Sequence, residues 1–164
     1  MKNYLNESLS AQERAEALVN EMTVEEAASQ LRYDAPAVER LGIPAYNWWN
    51  EGIHGLARSG VATMFPQAIG LGATFNKELM KDIADTIGRE SAAVGIRHTY
   101  APNIDLSRDP RWGRTEENYG EDPYLTSRMG VRYVEGLQGH DEKYLKAAAC
   151  AKQGIKLHFY YSHL

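Results

Sequence analysis

Apolar residues recur at every fourth position in the middle of the chain, which predicts an amphipathic helix that begins after Asn76. The positions that share this spacing are Leu79, Ile83 and Ile87. Gly95 predicts the end of the helix, because glycine readily adopts the left-handed conformation that follows many helix C-termini. We therefore expect this stretch to bury one helical face in a core.

A second stretch, closer to the end of the sequence, has the same periodicity. Its apolar positions are Leu125, Met129 and Tyr133. Asp122 followed by Pro123 predicts the helix start, since aspartate accepts hydrogen bonds from free amides of the first turn and proline fits that turn without a donor. Gly136 or Gly139 predicts the helix end.

Two capping boxes near the beginning of the sequence predict two short helices. In each box a hydroxyl and a carboxylate stand three residues apart and satisfy backbone amides of the first helical turn. The pairs are Ser10 with Glu13 and Thr23 with Glu26. They predict helices that reach about residues 19 and 31.

Three extended runs separate or flank these helices: AYNWWNEG at 45–52, HTYAPNIDL at 98–106 and YLKAAACA at 144–151. Strand and helix thus alternate, which is typical of parallel βαβ units and predicts an α/β fold. In such folds ligands are bound at the carboxyl ends of the strands. Those ends fall around Glu51, after Asp105 and near Lys152.

Composition narrows the class of protein. The 164 residues contain 43% hydrophobic residues and carry a net charge of −4, which disfavours a nucleic-acid-binding protein. No apolar run approaches the ~20 residues that span a membrane, and the first residues lack the apolar core of a secretory signal. A single cysteine, Cys150, excludes an internal disulfide framework. We therefore expect a one-domain cytoplasmic protein without a membrane or nucleic-acid partner.

The first candidate cluster of functional side chains is Trp48, Trp49, Glu51 and His54. Sugar C–H faces stack on aromatic rings while carboxylate oxygens accept bonds from hydroxyls, so this cluster favours a carbohydrate site. The alternatives are that one tryptophan belongs to the core and that Glu51 with His54 binds a metal. The motif lacks a third metal ligand, so we expect no metal.

The second cluster is the segment RDPRWGRTEENYGED at 108–122, considered together with Tyr100. The planar donors of an arginine can hold two neighbouring hydroxyls or a carboxylate. The alternative is a loop in which the acidic residues neutralise the arginines, with one arginine left for a ligand. Lys152 follows a strand of small residues and is the third candidate, whereas Cys150 is interpreted as buried filler.

Five motifs in this order resemble the N-terminal part of glycoside hydrolase family 3, in particular its β-xylosidases and β-glucosidases. They are NWWNEGIHG, ATMFPQAIGLGATFN, YAPNIDLSRDPRWGR, ENYGEDPYLTSRMG and KAAACAK. The resemblance runs from about residue 10 to Lys152. It implies an incomplete (β/α)8 TIM-type barrel, about the first three βα units, with residues 1–152 as part of the barrel domain.

The resemblance also implies a retaining, exo-acting β-glycosidase that uses no cofactor and acts on β-linked oligosaccharides or glycosides. Carried over by position, the substrate-binding residues are Glu51, Tyr100, Arg114 and Lys152, with the tyrosine seen in the xylosidase-like branch. No position matches the aspartate nucleophile or the glutamate acid/base. We therefore expect the chain alone to be inactive; the alternative is a non-catalytic sugar-binding or regulatory fragment.

After Lys152 the resemblance ends: Gln153 replaces the family's histidine, and residues 153–164 are interpreted as a non-family tail of the kind that a frameshift, a premature stop or a wrong gene model produces. The alternative is a genuine short product. We expect the unpaired barrel edge to make an isolated monomer marginally stable and to favour self-association. The preference among xylosides, glucosides and arabinosides stays open.

Overall fold

The computed structural model describes residues 2–152. The tail interpreted at 153–164 lies outside these residues. The chain divides into two compact units, Met1–Trp49 and Asn50–Leu164. Helix and strand alternate along the second unit, as expected for an α/β fold.

The first unit contains two short helices and one antiparallel strand pair. Helix α1 spans Ala11–Glu21 and helix α2 spans Val24–Ser29, and both begin with the predicted reciprocal capping boxes. Strand β1 (Asp34–Ala35) pairs antiparallel with strand β2 (Tyr46–Asn47). The small core of this unit is formed by Tyr4, Val38 and Leu41.

As far as residue 152, the second unit contains three α-helices, two regular strands and the 3₁₀ turn Thr115–Glu117. The bounds of the helices and strands in chain order are Ala68–Gly72 (α3), Lys77–Ala93 (α4), His98–Thr99 (β3), Pro123–Gln138 (α5) and Ala148–Ala149 (β4). Strands β3 and β4 are parallel neighbours with α5 between them in the chain, which confirms a βαβ unit. A parallel bridge between Glu51 and Tyr100 precedes it, with α4 in the connection.

The regular strands are shorter than the sequence predicts. The run 98–106 keeps regular pairing only at His98–Thr99 and then continues through single bridges, including Asn103 with Lys152. Pro102 has no amide hydrogen to donate, so it interrupts the ladder. The run 144–151 is regular only at Ala148–Ala149.

Helices α4 and α5 supply most of the core of the second unit. On α4 the buried positions are Met80, Ile83, Ala84, Ile87, Gly88 and Ser91. The predicted face was therefore wrong at Leu79, which is 39% exposed. On α5 the prediction holds, since Met129 and Tyr133 are buried and Leu125 packs against the core. Among the described helices, none has the length and apolar character needed to cross a membrane.

Lys146 ties the two helices to the chain that enters β4. Its ammonium group donates to the Asp85 carboxylate on α4 and, at 2.7 Å, to the Gly136 carbonyl on α5. This contact with Lys146 is the largest cause of the lowered pKa of Asp85. The partly buried ammonium group thus joins α4, α5 and the segment that leads into β4.

Replacing Lys146 with methionine is expected to destabilise the second unit at neutral pH, because Asp85 and the Gly136 carbonyl lose a charged donor. The folded-state pKa of Asp85 is lowered, so its contribution is present above the ordinary value of 3.8 and is lost as the pH falls through the lowered value. The difference in the free energy of unfolding between wild type and variant is measured by urea unfolding at pH 7 and below pH 3. A difference that does not shrink at low pH would contradict the ion-pair explanation.

Candidate functional site

The parallel strand segments bring three of the four predicted site residues to neighbouring backbone positions. Glu51 bridges Tyr100, and the Tyr100 amide donates to the Asn50 carbonyl at 2.8 Å. Lys152 bridges Asn103 on the other side of the same central segment. Because parallel strands place their carboxyl ends at one edge, Glu51 and Lys152 face the same region although 101 residues separate them.

The side chains of Glu51 and Lys152 meet. The Lys152 Nζ atom lies 3.4 Å from Glu51 Oε2 and 3.9 Å from Glu117 Oε2. All three side chains are mostly buried, with exposed fractions of 21% for Lys152, 28% for Glu51 and 21% for Glu117. The ammonium group therefore lies between two carboxylates at the edge of solvent.

Arg114 joins this cluster through Glu117. Its Nε donates to Glu117 Oε1 at 2.7 Å, and its Nη2 donates to Glu117 Oε2 at 2.6 Å. This bidentate contact is the main cause of the lowered pKa of Glu117 and of the raised pKa of Arg114. The 3₁₀ turn Thr115–Glu117 brings these two residues, three apart in sequence, to the same side of the chain.

Glu117 is a functional candidate that the sequence analysis did not single out, since it appeared there only as one acid among several. Its spacing of three from Arg114 was the available signal, but five acidic residues lie in that segment. Only the folded chain shows which of them faces Lys152. Buried Asn103 adds a donor to Glu117 Oε2 at 3.3 Å.

Tyr100 adjoins the cluster through its backbone. Its half-buried ring packs edge-on against His98, with ring centroids 4.9 Å apart. Among the described residues, its hydroxyl makes no hydrogen bond to Glu51, Arg114 or Lys152. Lys152 therefore contacts Glu51 directly, and Glu117 links Lys152 to Arg114. Tyr100 lies beside Glu51 along the strand.

The backbone after Glu51 is held by the helix that packs beneath it. The hydroxyl of Tyr133, which is fully buried on α5, donates to the Gly52 carbonyl. Burial raises the pKa of Tyr133 well above its ordinary value, so the hydroxyl stays protonated. A Cβ atom at Gly52 would lie 3.2 Å from that hydroxyl oxygen and 3.3 Å from the Thr99 side chain, so a larger residue beside Glu51 would displace these groups.

Replacing Tyr133 with phenylalanine is expected to lower the free energy of unfolding by about 1–3 kcal/mol, because the Gly52 carbonyl loses its donor without a cavity being formed. Urea unfolding followed by circular dichroism measures the change. The matched control is Tyr124 to phenylalanine, at an exposed position of the same helix. Equal stabilities of the two variants would show that the buried hydroxyl does not hold the Glu51 segment.

The other candidate residues have local structural contacts. His54 Nδ1 lies 2.8 Å from the Phe65 carbonyl oxygen, which fixes the loop between them. Trp48 and Trp49 belong to the first unit, where they pack edge-on against Tyr46 and Tyr33, respectively. Both tryptophans are 42% exposed, so neither is a core residue of that unit.

The described residues contain no group of three or more His, Cys, Asp or Glu side chains arranged to hold a metal ion. In the arginine-rich segment, Arg111 pairs with Asp109 at 2.6 Å, as the salt-bridged interpretation expects. Arg108 is exposed and has no hydrogen bond or ion pair within residues 2–152. Cys150 forms no disulfide and is half-buried rather than buried as predicted, because it lies directly after β4 and not in the core.

Comparisons with known proteins agree on one family. A model of the glycosyl hydrolase family 3 N-terminal domain matches residues 8–156. A xylan 1,4-beta-xylosidase of Xylanibacter ruminicola is 44% identical over 91% of this chain and 19% of its own length. The chain therefore spans about a fifth of this relative.

Solved structures give the same result. A family 3 exo-beta-xylosidase in complex with a xylobiose aziridine probe superposes with a TM-score of 0.86 and 36% identity, covering 94% of this chain and 22% of that one. A beta-glucosidase from Erythrobacter marinus superposes with a TM-score of 0.77 and 30% identity, covering 92% and 26%.

Proposed function

This chain belongs to glycosyl hydrolase family 3, and we propose that its residues 50–152 form part of the sugar-binding face of a retaining, exo-acting β-glycosidase. The chain carries an α/β portion of the TIM-barrel-type N-terminal domain of that family. A barrel of this type binds its substrate at the carboxyl ends of the strands, where Glu51 and Lys152 lie.

The observation that carries the proposal is the 3.4 Å contact between Lys152 and Glu51 beside the Arg114–Glu117 pair. Glu51 Oε1 has no hydrogen-bond donor among residues 2–152, so it can accept a sugar hydroxyl. The Lys152 ammonium group can donate to a neighbouring hydroxyl. An acceptor beside a donor matches two vicinal hydroxyls, each of which both donates and accepts. Partial burial strengthens such bonds relative to those in water.

The substrate class that we propose is a β-xyloside. The xylosidase of Xylanibacter ruminicola and the xylosidase that carries the xylobiose-derived probe both support this choice. The Glu51 carboxylate in the sequence NWWNE also favours it weakly over a glucoside. The Erythrobacter marinus relative is named a beta-glucosidase, so glucosides are the comparison substrate in any test.

We propose that the 164 residues bind the sugar but do not hydrolyse it alone. The retaining reaction requires a nucleophilic carboxylate and a protonated acid about 5 Å apart. Glu117 does not fit the acid, because its pKa is lowered by the Arg114 contact and it stays ionised at neutral pH. Its two oxygens are already engaged by Arg114, so it does not fit the nucleophile.

The test has two measurements. The binding of methyl β-D-xyloside and of its glucose and α-anomer counterparts is followed by NMR, and we expect the β-xyloside to bind most tightly. Hydrolysis of an aryl β-xyloside is then measured with the chain alone and with the remaining part of the Xylanibacter relative added. We expect hydrolysis only in the mixture. If no sugar binds, the proposed sugar-binding site is wrong. If the chain alone hydrolyses the aryl β-xyloside, the proposal that it binds the sugar without hydrolysing it is wrong.

We also propose that the protein self-associates through the outer edge of β4. Within residues 2–152, β4 has a strand partner only on the side of β3. At its other edge the Ala149 amide donates to the Gln138 side chain at 3.2 Å, a contact that an incoming strand would have to replace. Sedimentation velocity across a concentration series measures this, and the mean mass is expected to rise with concentration. A constant monomer mass with cooperative thermal unfolding would contradict it.

A further inference from the structure

The side chain of Glu117 occupies the centre of the charged cluster. It accepts from Arg114 through both oxygens, at 2.7 and 2.6 Å, and from Asn103 at 3.3 Å. Its Oε2 atom also lies 3.9 Å from Lys152 Nζ. Three of these four contacts involve the same oxygen.

We infer that Glu117 is a positioning residue that orients Arg114 and Lys152 toward the sugar without itself binding it; this inference rests on the proposed sugar site. With Arg114, Asn103 and Lys152 around it, Oε2 has no room for a further donor. The Glu51 carboxylate differs, since only its Oε2 atom is engaged and at the longer distance of 3.4 Å. Two neighbouring carboxylates thus have different roles.

The orientation of Arg114 follows from the bidentate geometry. A planar guanidinium held through Nε and Nη2 has its plane and its outer edge fixed, whereas a single contact would let it rotate. Asn103 is itself buried on the central strand segment, so Glu117 is anchored to the sheet. The arginine of a solvent-facing loop is thereby fixed relative to the strand ends.

The charge of Glu117 also determines how Lys152 is shared between the Glu51 and Glu117 carboxylates. Arg114 and Lys152 are balanced by Glu117 and Glu51, so the cluster is neutral as a whole. If Glu117 lost its charge, Lys152 would have Glu51 as its only close carboxylate among the described residues. That tighter pairing would compete with the sugar hydroxyls for Glu51. Glu117 therefore keeps Glu51 available for the sugar.

Glu117 to glutamine is the test variant, and Glu116 to glutamine is its matched control. Glu116 lies in the same 3₁₀ turn, is exposed and loses the same charge. The first measurement is the hydrogen-exchange rate of Arg114 Nε–H by ¹⁵N NMR in the sugar-free protein. The second is the affinity for methyl β-D-xyloside by NMR titration.

The glutamine variant at 117 is expected to speed exchange of the Arg114 Nε proton relative to wild type, because the charged acceptor of that proton is lost. Its affinity is expected to fall about tenfold, the effect of losing one well-oriented charged hydrogen bond. The control at 116 is expected to keep both wild-type values. An unchanged exchange rate at Arg114, or an affinity within twofold of wild type, would overturn the inference.

If circular dichroism shows that the glutamine variant is unfolded, Glu117 to aspartate replaces it. Aspartate keeps the charge but is one methylene shorter, so it cannot contact Arg114 and Lys152 together, and the same criteria apply. If the wild type binds no xyloside, the proposed function fails. The Arg114 exchange rate then decides by itself whether Glu117 orients this arginine.

Discussion

Replacing Gly136 with alanine is expected to lower the free energy of unfolding by about 2 kcal/mol. A Cβ atom at this position would lie 2.8 Å from the Ala84 Cβ atom and 2.9 Å from the Asp85 amide nitrogen, and closer still to the Lys81 carbonyl oxygen. Two of these three atoms belong to the backbone of α4, so the helices must separate. Overpacking of this kind costs about 3 kcal/mol, and alanine recovers about 1 kcal/mol of helix propensity.

The control for this experiment is Gly70 to alanine in helix α3. The nearest atom to an added Cβ there is the Pro66 Cβ at 4.0 Å, which is an ordinary van der Waals distance. Helix propensity alone therefore decides whether the free energy of unfolding rises or falls. Urea unfolding at one protein concentration, followed by circular dichroism, compares the two variants with wild type. A Gly136 variant as stable as the control would show that α4 and α5 do not pack backbone to backbone.

Gly88 provides a second view of the same helix contact. Its added Cβ would lie 2.5 Å from the Leu137 carbonyl oxygen on α5. Each helix therefore presents a glycine to the backbone of the other. This close approach lets the buried faces of α4 and α5 fill the core without a gap between them.

Replacing Lys152 with methionine is expected to weaken binding of methyl β-D-xyloside about thirtyfold, which corresponds to about 2 kcal/mol. Methionine keeps much of the length of lysine but removes the ammonium group from between Glu51 and Glu117. In the proposed site the sugar would lose a charged donor. The two carboxylates also lose the cation they share, and their repulsion displaces Glu51 from the position that accepts the hydroxyl.

The measurement is an NMR titration with the xyloside, with circular dichroism to verify the fold. Lys77 to methionine is the matched control, because Lys77 is exposed at the start of α4 and outside the site. The control is expected to bind like wild type. If both variants bind equally well, Lys152 does not contact the sugar.

Features whose sequence signal is local were predicted correctly. The capping boxes at Ser10 and Thr23 and the cap of α5 at Asp122 are present as predicted. These contacts join residues no more than three apart, so their geometry depends little on the rest of the chain. The short helix α3 was not predicted, because its five residues contain two glycines and no side-chain cap.

Periodicity alone misplaced part of the core-facing surface of α4. It selected Leu79, Ile83 and Ile87, whereas the buried face runs through Met80, Ile83 and Ile87. Gly88 and Ser91 also face inward, and hydrophobicity gives no reason to select either. They are buried because α5 approaches α4 closely. The spacing of apolar residues along the sequence gives no information about that approach.

In the candidate site too, some features were predicted from the sequence and others are visible only in the structure. Glu51, Arg114 and Lys152 were selected from motifs, and the parallel pairing of distant segments was expected from the alternation of strand and helix. The sequence did not reveal the role of Glu117, because its segment contains three arginines and five acidic residues and each has many possible partners. Distances to Lys152 and Asn103 distinguish it from Glu116, its neighbour in the chain.

The sequence by itself determined the family, the α/β class, the helix caps and the residue types of the candidate site. These features are carried by motifs and by contacts within a few residues. Only the tertiary structure decided which carboxylates contact Lys152 and which hydroxyl donates to the Gly52 carbonyl. It also decided which glycines lie against the backbone of the neighbouring helix. The physical reason is that these contacts join residues up to 101 positions apart, and their energies depend on distances that exist only after the chain has packed.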